Sequence, residues 1–172
     1  MLHGITSSKD VWWQNEGPYG KTREYRMGLL EAGYVIVTPD ARWHDQRIAT
    51  ADFKSPLEIL GNQNWTALRS LIAGSVVDFS AILDEVEKIY PDLPIGVLGM
   101  SLGAIHSFAL ATDDTRIKLA VPVFSPIQTP TDLLTDIQPM TRAKQLTVPT
   151  LLLISDQDVC SHSNRVKLCI KQ

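Results

Sequence analysis

Residues Gly99-Met100-Ser101-Leu102-Gly103 form a G-x-S-x-G pentapeptide whose central serine is the best-placed nucleophile in the chain. It follows the short apolar run Pro94 to Leu98 and precedes the helix-compatible stretch Leu102 to Ala111. In a strand-turn-helix setting the two glycines let the backbone turn sharply with little crowding, so the serine hydroxyl projects at the top of a sheet. The chemistry available to such a serine is acyl transfer from an ester or amide to water. Ser101 attacks the carbonyl, a histidine takes the hydroxyl proton, and a carboxylate holds that histidine in its useful tautomer. Gly-rich turns produce the same five-residue pattern without chemistry, so the partners and the frame must come from the rest of the chain.

Four histidines are available, His3, His44, His106 and His162, together with two carboxylates, Asp156 and Asp158, directly after the apolar run Val148 to Ser155. His106 lies five positions beyond Ser101 on the following helical stretch. That places it on a different side of the helix from the nucleophile, and it reads as a packing residue. No H-E-x-x-H or paired-cysteine motif is present, so no metal is implied. No G-x-x-x-x-G-K-[ST] or G-x-G-x-x-G is present either, which counts against a nucleotide-binding domain that uses the glycine turn for phosphate, and no cofactor is implied.

The elements that must position these groups alternate in type. Tyr34 to Pro39 reads as a strand followed by Asp40-Ala41-Arg42, and Ile117 to Phe124 and Val148 to Ser155 as two more. Pro18 to Gly33 reads as a helix with apolar Met27, Leu29, Leu30 and Ala32 and a glycine stop. Thr66 to Tyr90 carries one apolar stripe at spacings of three and four, from Leu68 through Phe79 to Ile89, and halts at Pro91. Ala41 to Trp65 is a long irregular span holding Trp43, His44, Phe53 and Trp65, read as a wall of the substrate pocket. Pro126 to Thr147 holds two short helical segments, Thr131 to Ile137 and Pro139 to Leu146, and Ser161 to Cys169 reads as a further helix. Strands alternating with helices predict an α/β class with a mostly parallel sheet flanked by helices.

At 172 residues, 44% hydrophobic and 20% charged, the chain suits a single domain with a real core spanning residues 1–172. A net charge of −3 with no basic cluster argues against nucleic acid as a partner. No apolar stretch reads as approaching the roughly 20 residues that span a bilayer, and the N-terminus lacks a signal pattern, so a cytoplasmic location without membrane association is expected. Cys160 and Cys169, if joined by helix, lie roughly 13 to 14 Å apart, beyond disulfide reach. Asn64-Trp65-Thr66 fits a glycosylation sequon but reads as a loop.

Leu2-His3-Gly4, Pro39-Asp40-Ala41-Arg42, Gly99-Met100-Ser101-Leu102-Gly103 and the strand-then-acid segment ending at Asp158 occur in that order along nearly the whole chain. On these landmarks the sequence resembles the α/β-hydrolases, and among them the compact dienelactone-hydrolase and prolyl-oligopeptidase-like serine esterases. The resemblance implies an α/β-hydrolase fold and an acyl-enzyme at Ser101. It places the oxyanion-binding backbone N–H groups at Leu102 and at Ile5. It favours Asp158 as the acid, four residues past the last apolar position of its strand, with Asp156 as the alternative. The chain order serine, acid, histidine leaves His162 as the only histidine after the acid, and none of the four stands at the family's usual place, so the base is His162 or a residue beyond position 172; His3 is structural in the family. The short 126–147 segment implies a minimal lid and an open site for a small-molecule ester or peptide-like substrate. The resemblance also implies that the fold lacks its first strands and its last strand, with Met1-Leu2 a remnant lying between the Tyr34 to Thr38 and Pro94 to Leu98 strands. Marginal stability as an isolated monomer is expected on that basis. The alternative reading is a catalytically incomplete hydrolase-like chain acting as a binding module.

Overall fold

The computed structural model describes residues 1–14, 22–50, 55–126, 132–154 and 168–171. Phe53, Asp156, Asp158, Cys160 and His162 lie outside the described residues.

Among the described residues, four strands form one sheet in the order β1 (Ile95–Met100), β2 (Ile117–Val123), β3 (Thr150–Leu153) and β4 (Leu168–Lys171). The first three are parallel and β4 runs antiparallel to β3. Their register aligns Met100 with Val123 and Val123 with Leu153, so the C-terminal ends of the parallel strands form one rim. The helices are α1 (Thr22–Glu31), α2 (Leu57–Gly61), α3 (Trp65–Ile89), α4 (Leu102–Asp113) and α5 (Pro139–Arg142). The α/β class and the parallel strands on either side of α4 agree with the sequence pattern.

Strand alternation divides the core. Val97 and Ala120 face α3 and α4 and pack with Leu2, Phe79, Phe108 and Ile117, whereas Met100 and Val123 face the other way onto Val11 and Trp12. A further cluster joins α3 to the start of α4 through Leu68, Leu71, Ile72, Leu102 and Ile105. Every residue of α4 from Leu102 to Ala111 is buried, so this helix is interior on all sides and its position is determined by packing all round.

The longest helix follows its apolar stripe. Leu68, Leu71, Ile72, Ser75 and Phe79 are buried, and Asn64 caps its start by accepting from Ala67 N–H at 3.0 Å. The sequon asparagine is thus a helix cap, and Trp65 and Thr66 already belong to the helix. At 25 residues α3 is long and apolar enough to cross a bilayer by length and composition, which corrects the reading that no stretch approaches that length. Here its stripe enters the core while Arg69 and Asp78 form ion pairs.

Three expectations shift. Residues 34–40 form no regular strand, and Tyr34, Val35 and Val37 are exposed. β-favouring side chains do not make a strand without a paired neighbour. Among the described residues the neighbour is the Met1-Leu2 segment, which does lie between residues 34–37 and β1: Met1 N donates to Val37 O at 2.6 Å, Leu2 N to Leu98 O at 2.7 Å, and Met100 N to Leu2 O at 3.1 Å. Cys169 belongs to β4 and not to a helix, because the open edge of β3 offers ladder hydrogen bonds that a Leu-Cys-Ile run can take. The helical spacing invoked for the two cysteines therefore does not apply.

The 132–146 segment carries less helix than its sequence suggests, a 3₁₀ turn at Asp132–Leu134 and the single turn of α5. Side chains bolt it down instead. Arg69 donates to Leu133 O at 3.0 Å and grips Asp136, and Arg142 donates to Asp136 O at 2.7 Å and to Thr112 Oγ1 at 2.9 Å while pairing with Asp113.

Candidate active site

Ser101 is the turn between β1 and α4, with φ 53° and ψ −112°. Positive φ is uncommon for a residue bearing a Cβ, and such a conformation costs on the order of 1–3 kcal/mol, sustained only where the surroundings leave no alternative. The surroundings here are backbone. A Cβ on Gly99 would lie inside van der Waals contact of Gly103 O and 2.6 Å from Ser107 Oγ. A Cβ on Gly103 would collide with Leu2 O and stand 2.9 Å from His3 O. The first glycine lets α4 sit down on β1, and the second lets the N-terminal segment cross the first turn of α4. Ser101 N–H donates to Val123 O at 3.0 Å, its carbonyl accepts from Ala104 and Ile105, and its half-buried side chain makes no capping hydrogen bond. The G-x-S-x-G spacing is therefore a packing requirement that leaves a polar side chain standing at the rim.

Two other loops meet at that rim. Ile5 packs against the cluster containing Leu102 and Ile105, which brings the 2–8 segment beside the start of α4. No described residue accepts a hydrogen bond from Ile5 N–H or Leu102 N–H. Leu102 is the first residue of α4, where N–H groups lack intrahelical partners and the helix dipole favours negative charge. Phe124, at the end of β2, also takes a positive φ of 51°; its side chain is exposed, and its N–H donates to Leu153 O at 2.7 Å. Nothing in the sequence distinguishes Phe124 from a final strand residue, because the strain appears only where the neighbouring strand ends side by side with it.

The Asp40-Ala41-Arg42 landmark acts as a junction. Lys9 binds Asp40 with both its N–H (2.7 Å) and its ammonium (2.6 Å). Ala41 N–H donates to His3 Nε2 at 3.0 Å. Arg42 forms a two-pronged pair with Asp78 of α3, both contacts at 2.9 Å, and its N–H donates to Ser75 Oγ. The Arg42 guanidinium holds the Asp78 carboxyl below the usual carboxylate range.

The described histidines are all buried. His3 donates from Nδ1 to Gly4 O at 2.8 Å and accepts at Nε2, so its tautomer is determined by its partners and both nitrogens are occupied. Burial lowers its pKa to about 4. His44 places Nδ1 2.8 Å from Arg42 O and Nε2 3.1 Å from Ile5 O, and burial lowers its pKa as well. His106 is fully buried edge-on to Phe79, ring centroids 5.2 Å apart, with neither ring nitrogen hydrogen-bonded; burial lowers its pKa to about 3. The packing expected of His106 is what the structure has. Ser101, Ile5 and Leu102 are brought together, whereas Asp158, Asp156 and His162 lie outside the described residues.

Neither a protein-family model nor a curated protein matches this sequence. Among solved structures, the chain is similar to an esterase from Pyrococcus furiosus, with a TM-score of 0.61 and 21% sequence identity. The two share a fold. The likeness covers 93% of this chain and 61% of the esterase chain, so the sequence spans about three fifths of that protein's length.

The described residues enclose cavities, two of them sizeable. One, about 530 Å³, opens between the 5–14 and 43–57 segments and is lined by Ile5, Ser7, Trp43, His44, Asp45 and Ile48 among others. Trp43 and His44 of the long span line this cavity, and both Trp43 and Trp65 pack against the cluster at the start of α4. The other, about 410 Å³ and more apolar, lies by the N-terminal ends of β1 and β2, against Tyr90, Ile95 and Ile117. Ser101 lines neither cavity; the first shares Ile5 with the loop packed beside the start of α4.

Proposed function

We propose that this protein is a serine hydrolase of ester bonds with an α/β-hydrolase fold, working through an acyl-enzyme at Ser101, and related to the dienelactone-hydrolase and prolyl-oligopeptidase-like esterases. The observation that carries the reading is the strained Ser101 between two glycines in backbone contact, a nucleophile elbow in its form. The shared fold with a solved esterase supports it. Ser101 Oγ forms a bond to the ester carbonyl carbon while its proton passes to a base, and the carbonyl electron pair moves onto oxygen. Ile5 N–H and Leu102 N–H receive that oxyanion. The proton then leaves with the departing alkoxide as an alcohol, and water repeats the sequence to release the acid and restore the serine. No cofactor is required by these steps.

His3 and His44 have both nitrogens facing backbone partners and His106 is sealed in the core. The base is then His162 or a residue beyond position 172, with Asp158 as the acid and Asp156 as the alternative. The open cavity beside Ile5 suits a small ester; peptide-like substrates belong to the same chemistry. The test is a fluorophosphonate probe read by intact mass on the chain, Ser101→Ala and His162→Gln. One adduct on the parent, none on Ser101→Ala and markedly slower labelling of His162→Gln is expected. A folded parent that takes no adduct would replace this reading with that of a binding module without an activated serine.

A further inference from the structure

Among the described residues, the edge of β1 that faces away from β2 is paired at one point, where Leu2 bridges Gly99. Leu2 N–H donates to Leu98 O at 2.7 Å, and Leu2 O accepts from Met100 N–H at 3.1 Å. Backbone groups alternate in direction along a strand, so the Leu98 N–H and both polar groups of Gly96 face the same side as Leu98 O. No described residue pairs with them on that side. Across the gap, Met1 N donates to Val37 O at 2.6 Å, and the N–H groups of Val35 and Val37 have no partner among the described residues. Met1-Leu2 thus bonds to both walls at once. The gap is therefore one strand wide, roughly 10 Å from wall to wall.

From Met1 the gap continues as the apolar cavity of about 410 Å³, lined by Val35 and Val37 on one wall, Gly96 and Leu98 on the other, and Ile82 and Leu83 of α3. Two features restrict what fits there. The lining is apolar, which disfavours a charged or sugar-like ligand. The edges carry unpaired N–H and C=O groups, which an acyl chain would bury without partners. An extended peptide meets both demands, because its backbone offers donors and acceptors to one wall and then the other while its side chains enter apolar surroundings. The strands of this chain among the described residues are already paired in the sheet, and residues 34–37 form the wall itself. The segment that fits therefore comes from a partner.

We propose that the slot between residues 35–37 and the Ile95 to Leu98 stretch of β1 binds an extended apolar segment of a partner protein, which pairs with both walls as an added strand. The unpaired stretch of β1 accommodates about four residues, roughly 13 Å of extended chain. The slot lies toward the N-terminal end of β1, whereas Ser101 follows its C-terminal end. Binding there is independent of the serine-hydrolase reading.

Amide hydrogen exchange of the full chain, read by ¹H–¹⁵N NMR, tests this with three probes. They are the capped peptide acetyl-Lys-Val-Ile-Val-Ile-Lys-amide, the same peptide N-methylated at alternate residues, and decanoate. The first peptide, at millimolar concentration, is expected to slow exchange of the Leu98 and Val37 N–H groups by about tenfold or more. The N-methylated peptide keeps the side chains but loses one row of donors, and it and decanoate are expected to leave both rates within about twofold. Equal protection by the N-methylated peptide, or protection by decanoate alone, overturns strand addition and makes the slot an apolar pocket for side chains or acyl chains. No slowing by the first peptide overturns the proposal outright. Protection that grows with protein concentration when no peptide is present shows a second copy of this chain in the slot and overturns the assignment to a partner protein. Ser101→Ala is expected to be protected as fully as the parent, which separates this site from the nucleophile.

Discussion

Three buried histidines make acid the sharpest probe of this fold. His106 and His3 have folded pKa values of about 3 and about 4, both lowered chiefly by burial, against about 6.5 in an unfolded chain. Below pH 6.5 the unfolded state takes up a proton on each ring and the folded state does not, so stability falls as the pH falls. Once well inside that window the slope is about 1.4 kcal/mol per pH unit for each histidine. Between pH 6.5 and 4.5 the two together remove about 4 kcal/mol, a large part of the roughly 5–15 kcal/mol that holds a domain folded. The paired carboxylates act lower down. Asp114, which Arg116 holds at about 2, loses its contribution only as the pH falls from about 4 toward 2. The pH 6.5 to 4.5 interval thus lies above the carboxylate titrations, and the Met1 amine, lowered by burial to about 5, and His44, also lowered by burial, add to the loss there with the same sign. Urea unfolding followed by circular dichroism at half-unit steps should show the parent losing at least about 4 kcal/mol across it. His106→Phe keeps a ring against Phe79 and removes one titration, so it should lose about 2 kcal/mol less. Equal pH slopes for parent and variant would refute the argument that the core keeps His106 neutral.

Other consequences follow from backbone geometry. Gly103→Ala drives a methyl into Leu2 O and should cost about 2–3 kcal/mol, lowering the thermal midpoint by roughly 5–10 °C; an unchanged midpoint by calorimetry would show that the N-terminal segment does not cross α4 there. Gly28→Ala, in the middle of α1 with open space where a Cβ would stand, should stabilise by about 0.5–1 kcal/mol in the same assay. Ser101→Gly relieves the φ of 53° and should raise stability by about 1 kcal/mol while abolishing fluorophosphonate labelling. A less stable Ser101→Gly would remove the case for strain at that residue.

The long stripe of α3, the glycine stop after α1 and the run of β2 were legible because each is a local pattern that burial has only to accept. The pentapeptide around Ser101 was legible for a different reason: its glycines are demanded by two close backbone approaches, so the packing left its mark on residue type. Residues 34–40 misled, because their apolar alternation states a preference that only a paired neighbour can satisfy. The Leu168 to Lys171 strand misled in the opposite sense, since the edge of β3 recruits a segment whose own pattern suits a helix.

By itself the amino-acid sequence determined the α/β class, the identity of the nucleophile candidate and the order of the landmarks, all of which depend on short-range periodicity or on steric limits within a few residues. Only the tertiary structure decided what His3, His44 and His106 do. A histidine's role depends on which carbonyls, amides and rings surround it, and those come from segments up to about forty positions away: Ala41 for His3, Ile5 for His44 and Phe79 for His106. The same long-range assembly packed Ile5 against the cluster that holds Leu102 and Ile105.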